Sequence, residues 1–115
     1  FVKNLHSMSQ RTAQVGSLLE HHISEILVRE LEPPQGCLIT VMRAEVTPDL
    51  KHATIFVSVL PDNKTGTAMS MLKRKTGEIQ HLLNRRLTMK FSPRIKWELD
   101  LINRKYAAID EALQK

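Results

Sequence analysis

The order of apolar patterns along the chain predicts an α+β fold, a three-stranded sheet with helices packed on one face. Three observations carry it. A long stretch of helical periodicity opens the chain, two adjacent runs rich in β-branched residues follow, and a second helical stretch, interrupted by a glycine, leads into a short final strand. At 115 residues, 42% hydrophobic and 25% charged, the chain has the size and composition of one ordinary globular domain spanning 1–115.

The first helix rests on Val15, Leu18, Leu19, His22, Ile23, Ile26 and Leu27, which recur at i, i+3, i+4, i+7, i+8, i+11 and i+12. Ser17, Glu20, His21, Ser24 and Glu25 form its polar face, and Ser7 or Ser9 is placed to cap its start. Pro33-Pro34-Gln35-Gly36 ends it by about Leu31, because proline has no amide to donate and excludes the helical conformation from the residue before it. Cys37 to Val46 and His52 to Leu60 then read as an antiparallel hairpin joined through Thr47-Pro48-Asp49-Leu50-Lys51. In the second run Ala53, Ile55, Val57 and Val59 share one face; in the first, the alternation sets Met42, Ala44 and Val46 against Val41, Arg43 and Glu45.

Pro61 to Gly66 is a turn-forming cluster, after which Ala68, Met71 and Leu72, then Ile79, Leu82, Leu83 and Leu87, restore helical periodicity. Gly77 falls between the two halves. Glycine inside a helix costs about 1 kcal/mol relative to alanine, so it predicts either a break there or a close approach of another backbone. A last strand is expected over Thr88 to Trp97, through Met89, Phe91, Ile95 and Trp97, with Pro93 requiring an edge position or a bulge. Residues 101–115 are expected as a weaker, frayed helix continuing from Asp100.

The charge is concentrated. Residues 1–72 hold six Lys/Arg against seven Asp/Glu, residues 73–96 eight against one, and residues 97–115 three against four, so the net charge of +5 comes from one segment. A basic block on an otherwise neutral domain is the electrostatic footprint of a polyanion site, since each cation near a phosphate displaces a condensed counterion. Lys73, Arg74, Lys75, Arg85, Arg86, Lys90, Arg94 and Lys96 make up the block; a solvated face serving only solubility is the competing reading. The aromatic residues, Phe1, Phe56, Phe91, Trp97 and Tyr106, are too few for a platform that stacks successive bases.

Other chemistry finds little support. No run of apolar residues is long enough to span a bilayer, and the first residues lack a secretory pattern, so a soluble intracellular protein without membrane contact is expected. The lone Cys37 cannot form an internal disulfide and has no His52 or His81 pattern resembling a catalytic dyad. His21 and Glu25 stand one helical turn apart, as metal ligands do, but exposed His/Glu pairs at this spacing are common and no third ligand has a recognisable spacing; His22 is expected as a satisfied histidine at the core edge. Asp49 is expected to close an Asx turn. No phosphate-binding glycine motif is present, and neither enzyme activity, a cofactor nor a small-molecule substrate is expected.

Helix, strand, strand, helix, kink, helix, strand is the αββααβ order of the type II KH domain, which holds nucleic acid at a Gly-x-x-Gly turn between two helices. Here Lys75-Thr76-Gly77 stands in that place. This resembles the ribosome-binding factor A family, whose KH-like domain has an Ala-x-Gly kink instead of the loop. Arg11-Thr12-Ala13 is similar to the family's opening of the first helix and Ile23-Ser24-Glu25-Ile26-Leu27 to its continuation. The run from Glu45 through Pro48-Asp49-Leu50 to Val59 is similar to its most recognisable stretch, and Pro93 to Asp100 resembles its closing Pro-x-Leu-x-Phe-x-x-Asp. The likeness covers about residues 11–100. Lys75 replaces the small residue of the kink, Thr12 a valine and Trp97 a phenylalanine. The resemblance implies a non-catalytic, cytoplasmic RNA-binding factor, expected to be a monomer, that binds the immature small ribosomal subunit and its rRNA near the 5′ terminal helix and assists late maturation. Lys73, Arg74, Lys75, Arg85 and Arg86 are the preferred phosphate contacts, Arg11 a weaker one, and the kink at Gly77 would let backbone amides approach the RNA. Two other readings stay open, a KH-like module for single-stranded RNA and a basic domain that meets an acidic protein.

Overall fold

Helical periodicity at the start of the chain becomes α1 (Gln10–Arg29) in the computed structural model, which describes residues 10–89 and 92–101. Ser7, Ser9, Lys90, Phe91 and the helix expected over the last residues lie outside these. Val15, Leu19, Ile23, Ile26 and Leu27 are buried as their spacing requires, but Leu18 is 45% exposed and Gly16 and Thr12 take places on the buried face. The reason is proximity. A Cβ on Gly16 would stand 2.9 Å from the Ala44 carbonyl oxygen of the first strand, so the helix lies on the sheet through a residue with no side chain.

The hairpin forms from β1 (Leu38–Val46) and β2 (His52–Leu60), paired antiparallel. In β2 the expected alternation holds, with Ala53, Ile55, Val57 and Val59 buried. In β1 it does not hold throughout. The ladder pairs Val41 with Val57 and Arg43 with Phe56, leaving Met42 as an extra residue in a bulge. An inserted residue reverses which side chains face the core, so Ile39 and Val41 pack inward before the bulge and Ala44 and Val46 after it. Met42 and Val41 therefore do not fall on the faces that simple alternation assigns them.

The turn between these strands is closed by its own polar groups. The Thr47 hydroxyl donates to Asp49 Oδ1 at 2.6 Å and accepts from the His52 amide at 3.1 Å, while the Lys51 amide donates to Asp49 Oδ1 at 3.0 Å. Asp49 thus makes the expected Asx turn. Leu50 adopts a left-handed conformation at φ 61°.

A 3₁₀ turn (Asp62–Lys64) leads into α2 (Thr65–Arg74), followed at once by α3 (Thr76–Arg86). The kinked pair expected around Gly77 is present, with the break itself at Lys75 (φ −92°, ψ 3°) and Gly77 in the first turn of α3. Among the described residues, nothing outside its own helix stands within 4 Å of a Cβ built on Gly77, so no other described backbone approaches it. Thr76 lies beneath the break: its hydroxyl donates to the Leu72 carbonyl at 2.8 Å and accepts from the Trp97 indole at 3.0 Å. Such back-bonding to the fourth preceding carbonyl bends helices.

β3 (Arg94–Leu99) lies parallel to β2, giving a three-stranded sheet in the order β1-β2-β3. The strand starts at Arg94, later than Thr88, because the buried Pro93 brings no amide to the ladder. Its free edge is closed by a side chain: the Ile95 amide donates to Gln80 Oε1 at 3.0 Å and Gln80 Nε2 donates to the Pro93 carbonyl at 3.0 Å. The core lies between sheet and helices, where Leu19, Ile23, Ile26, Ile55, Val57, Leu72, Ile79 and Leu83 are fully buried.

The contact at Gly16 yields a stability test. Gly16→Ala adds a favourable helix former but forces α1 away from β1, and is expected to lower unfolding stability by about 1–2 kcal/mol, as overpacking does. Denaturant unfolding measures this; an unchanged or raised midpoint refutes the close approach.

Candidate nucleic-acid interface

The densest basic group stands at the helix break. Lys73 and Arg74 are exposed in the last turn of α2, and Lys75 occupies the break. Lys75 Nζ lies 3.5 Å from Glu78 Oε2, both side chains about half exposed. An exposed pair of this kind contributes little and is readily exchanged for a phosphate. Gly77, next along, is exposed and offers no side chain to hold a ligand away from the backbone.

Arg85 and Arg86 close α3, about 15 Å along its axis from the break. The structure separates these neighbours. Arg85 is exposed, whereas Arg86 is 25% exposed and its Nη1 donates to Glu25 Oε1 at 2.9 Å, tying the end of α3 to the C-terminal part of α1. Glu25 also receives His21 Nε2 at 3.2 Å and Arg29 at 3.5 Å. The Arg86 hydrogen bond holds the Glu25 carboxyl below the usual carboxylate range, against a burial effect that pushes it up.

The same cluster answers the metal question in part. Donor atoms of His21, His22 and Glu25 lie within 4.8 Å of one another, a third ligand that the spacing of His21 and Glu25 alone does not disclose. Both carboxylate oxygens are already engaged, Oε1 by the Arg86 guanidinium and by His21 Nε2 and Oε2 by the Arg29 guanidinium, an arrangement that opposes an added metal ion. His22 sits at the core edge but is not satisfied there: its Nδ1 is buried without a hydrogen-bond partner among the described residues.

The rest of the basic block faces elsewhere. Arg94 and Lys96 are exposed on β3, on the side of the sheet opposite Ile95 and Trp97, and register beside His52 and Thr54 of β2. On that open side the Arg43 guanidinium stacks 3.9 Å over the Phe56 ring, with Nη1 3.6 Å from Oδ1 of the buried Asp100. Arg11 is exposed in the first turn of α1. Glu25 was weighed only as a metal ligand and Arg43 not at all; the Glu25–Arg86 and Arg43–Asp100 contacts join elements far apart in sequence and leave no local pattern. No helix among the described residues is long and apolar enough to cross a membrane.

Comparison with known proteins agrees with this geometry. The family described as ribosome-binding factor A matches residues 11–113. Ribosome-binding factor A of Halothermothrix orenii is 37% identical over 107 residues, 92% of this chain and 88% of that protein. The crystal structure of the Thermus thermophilus factor superposes with a TM-score of 0.66 at 20% identity, covering 76% of this chain and 94% of that one. A homology model of the T. thermophilus factor, fitted into an electron-microscopy map of a 30S complex, gives 0.61 at 21% identity over 72% and 88%.

The Glu25–Arg86 contact predicts a pH dependence. A carboxyl whose pKa is lowered by folding stabilises the folded state fully above the usual carboxylate range and loses that contribution as pH falls through its depressed value. Glu25→Gln is expected to flatten the fall of melting temperature on acidification. An acid-side profile unchanged by the substitution contradicts the assignment.

Proposed function

The chain belongs to the ribosome-binding factor A family, and from that premise we propose that it is a non-catalytic RNA-binding assembly factor for the small ribosomal subunit. It acts in the cytoplasm as a monomer on the rRNA of the late-maturing subunit, near the 5′ terminal helix. The observation that carries the reading is the helix break, where three consecutive cations, Lys73 to Lys75, precede a glycine open to solvent. Among the described residues, nothing outside its own helix lies within 4 Å of where a Cβ on Gly77 would stand, and an approaching RNA backbone would supply a reason for a glycine there.

Lys73, Arg74, Lys75 and Arg85 hold phosphates, and the amide at Gly77 adds a contact that a side chain would obstruct. Arg86 acts mainly by fastening α3, since its guanidinium is already engaged by Glu25. Arg94, Lys96 and Arg11 reach RNA from other sides of the molecule, and Lys90 belongs to the same basic block.

Two experiments test this reading. Co-sedimentation with purified subunits compares the native chain with a Lys73→Glu, Arg74→Glu, Arg85→Glu variant in which Arg86 is left intact. The native chain is expected to travel with the small subunit and not the large one, with a log affinity that falls against log salt at a slope of about −3 to −4, as four phosphate contacts give. The variant is expected to be lost from the pellet. Failure of the native chain to sediment with the small subunit removes the ribosomal assignment, and a slope near zero removes the electrostatic one. Gly77→Ala separates structural from ligand causes: the free protein should gain up to about 1 kcal/mol, while subunit binding weakens. Unweakened binding excludes close approach at the glycine.

A further inference from the structure

We propose that the cleft between the start of α1, the β1–β2 turn and the segment entering β3 binds one unpaired nucleotide of RNA. The inference rests on the reading of the chain as an RNA-binding protein and adds a site that shares no residue with the helix break. The cleft has a volume of about 890 Å³, within the range of small-molecule sites. Its floor is apolar, formed by Leu50 and Met89, which are half-buried and packed against the core. Its rim is cationic. Three cations set its charge, Arg11 from α1, Lys51 from the turn and Arg94 from β3, with His52 beside them at the start of β2, so residues far apart in sequence converge on one opening. Among the described residues neither Arg11 nor Arg94 makes an ion pair.

An inorganic anion alone would have no use for the apolar floor, and an aliphatic ligand none for the rim. A nucleotide uses both. Its base presents a flat apolar ring face that Leu50 and the polarisable Met89 thioether contact, as bases taken out of a stack lie against apolar side chains. Its flanking phosphates meet Arg11, Lys51 and Arg94. Asp49, the acidic residue of the lining, keeps its negative charge, because the hydrogen bonds that its Oδ1 accepts from Thr47 and the Lys51 amide hold its carboxyl below the usual carboxylate range while fixing the turn; Arg11, Lys51 and Arg94 outnumber it.

The backbone supplies an independent observation. Leu50 is held at φ 61°, a left-handed conformation costly for a bulky side chain and easily taken by glycine or asparagine. A leucine there buys a turn of ordinary shape at extra strain. Its side chain then lies on the cleft floor, where neither of the easier residues would offer the same apolar surface.

The test uses the full chain and a four-residue single-stranded RNA, followed by methyl and amide NMR. Met89 methyl and Lys51 and His52 amide signals are expected to move on titration. Making one position of the RNA abasic should weaken binding about tenfold, as loss of a stacked base does, and Met89→Ala and Arg11→Ala/Arg94→Ala variants should each weaken the intact oligomer. The Lys73→Glu, Arg74→Glu, Arg85→Glu variant should keep the Met89 response. The proposal is overturned if Met89 stays silent, if inorganic pyrophosphate reproduces the shifts at equal affinity, or if an acidic peptide binds there and RNA does not. The two readings fail separately: a silent Met89 in a chain that still sediments with the small subunit removes only the cleft. A responding Met89 in a chain that ignores subunits removes only the ribosomal assignment.

Discussion

One hydroxyl holds the part of the molecule on which its basic surface depends. Thr76 Oγ1 donates to the Leu72 carbonyl and accepts from the Trp97 indole, so the break between α2 and α3 is fixed from beneath by a residue of β3. Without a partner, the Leu72 carbonyl at the end of one helix and the indole N–H of a 6%-exposed Trp97 would each carry a desolvation cost of about 1–3 kcal/mol. A single side chain with one proton and free lone pairs satisfies both. The consequence above the break is geometric: α2 ends with Lys73 and Arg74 facing solvent, and the chain turns at Lys75 with Gly77 beside it.

α3 is then tied to its neighbours at three points. Its N-terminus is joined to β3 through Thr76, its middle to the same strand through Gln80, and its C-terminus to α1 through Arg86 and Glu25. Gln80 imitates a neighbouring strand, offering one donor and one acceptor to the edge of β3, which would otherwise stand open to pairing with another chain. These attachments sort the cations by duty. Arg86, spent on Glu25, positions the helix; Arg85, one residue earlier, is exposed and makes no ion pair among the described residues. Lys75 lies between the two cases, because its exposed contact with Glu78 is weak enough to yield.

Much of the architecture was legible because burial imposes a period. β2 runs over the residues that its alternation marks, and the apolar spacing of α1 picks out most of its buried stripe. Where the reading failed, a contact distant in sequence had overridden a local pattern. The bulge at Met42 shifts the phase of β1, and the Gly16 approach to Ala44 displaces Leu18 from the core. The basic block was visible as composition, and the kink as a glycine between two apolar stripes. That the break falls at Lys75 and is secured by Thr76 was not visible, since it depends on Trp97 arriving 21 residues later. The pairing of Arg86 spans 61 residues and was hidden for the same reason.

The division of the basic segment bears on the kind of RNA that fits. Lys73, Arg74, Lys75 and Arg85 lie on the helices, while Arg94 and Lys96 lie on the far side of the sheet, a layer of packing about 10 Å thick between them. A short unpaired strand lying along the helices leaves the second group unused. A folded RNA that rises on both sides of the domain would engage both, and the protein would then recognise it by shape and phosphate position, as expected where the bases are largely paired. The cleft at Leu50 and Met89 stands between these groups in chemistry as well, cationic at its rim and apolar within. On the proposed reading it suits the one base that a folded RNA leaves unstacked at such a contact, so that an electrostatic grip on shape and a single point of insertion would belong to one mode of binding.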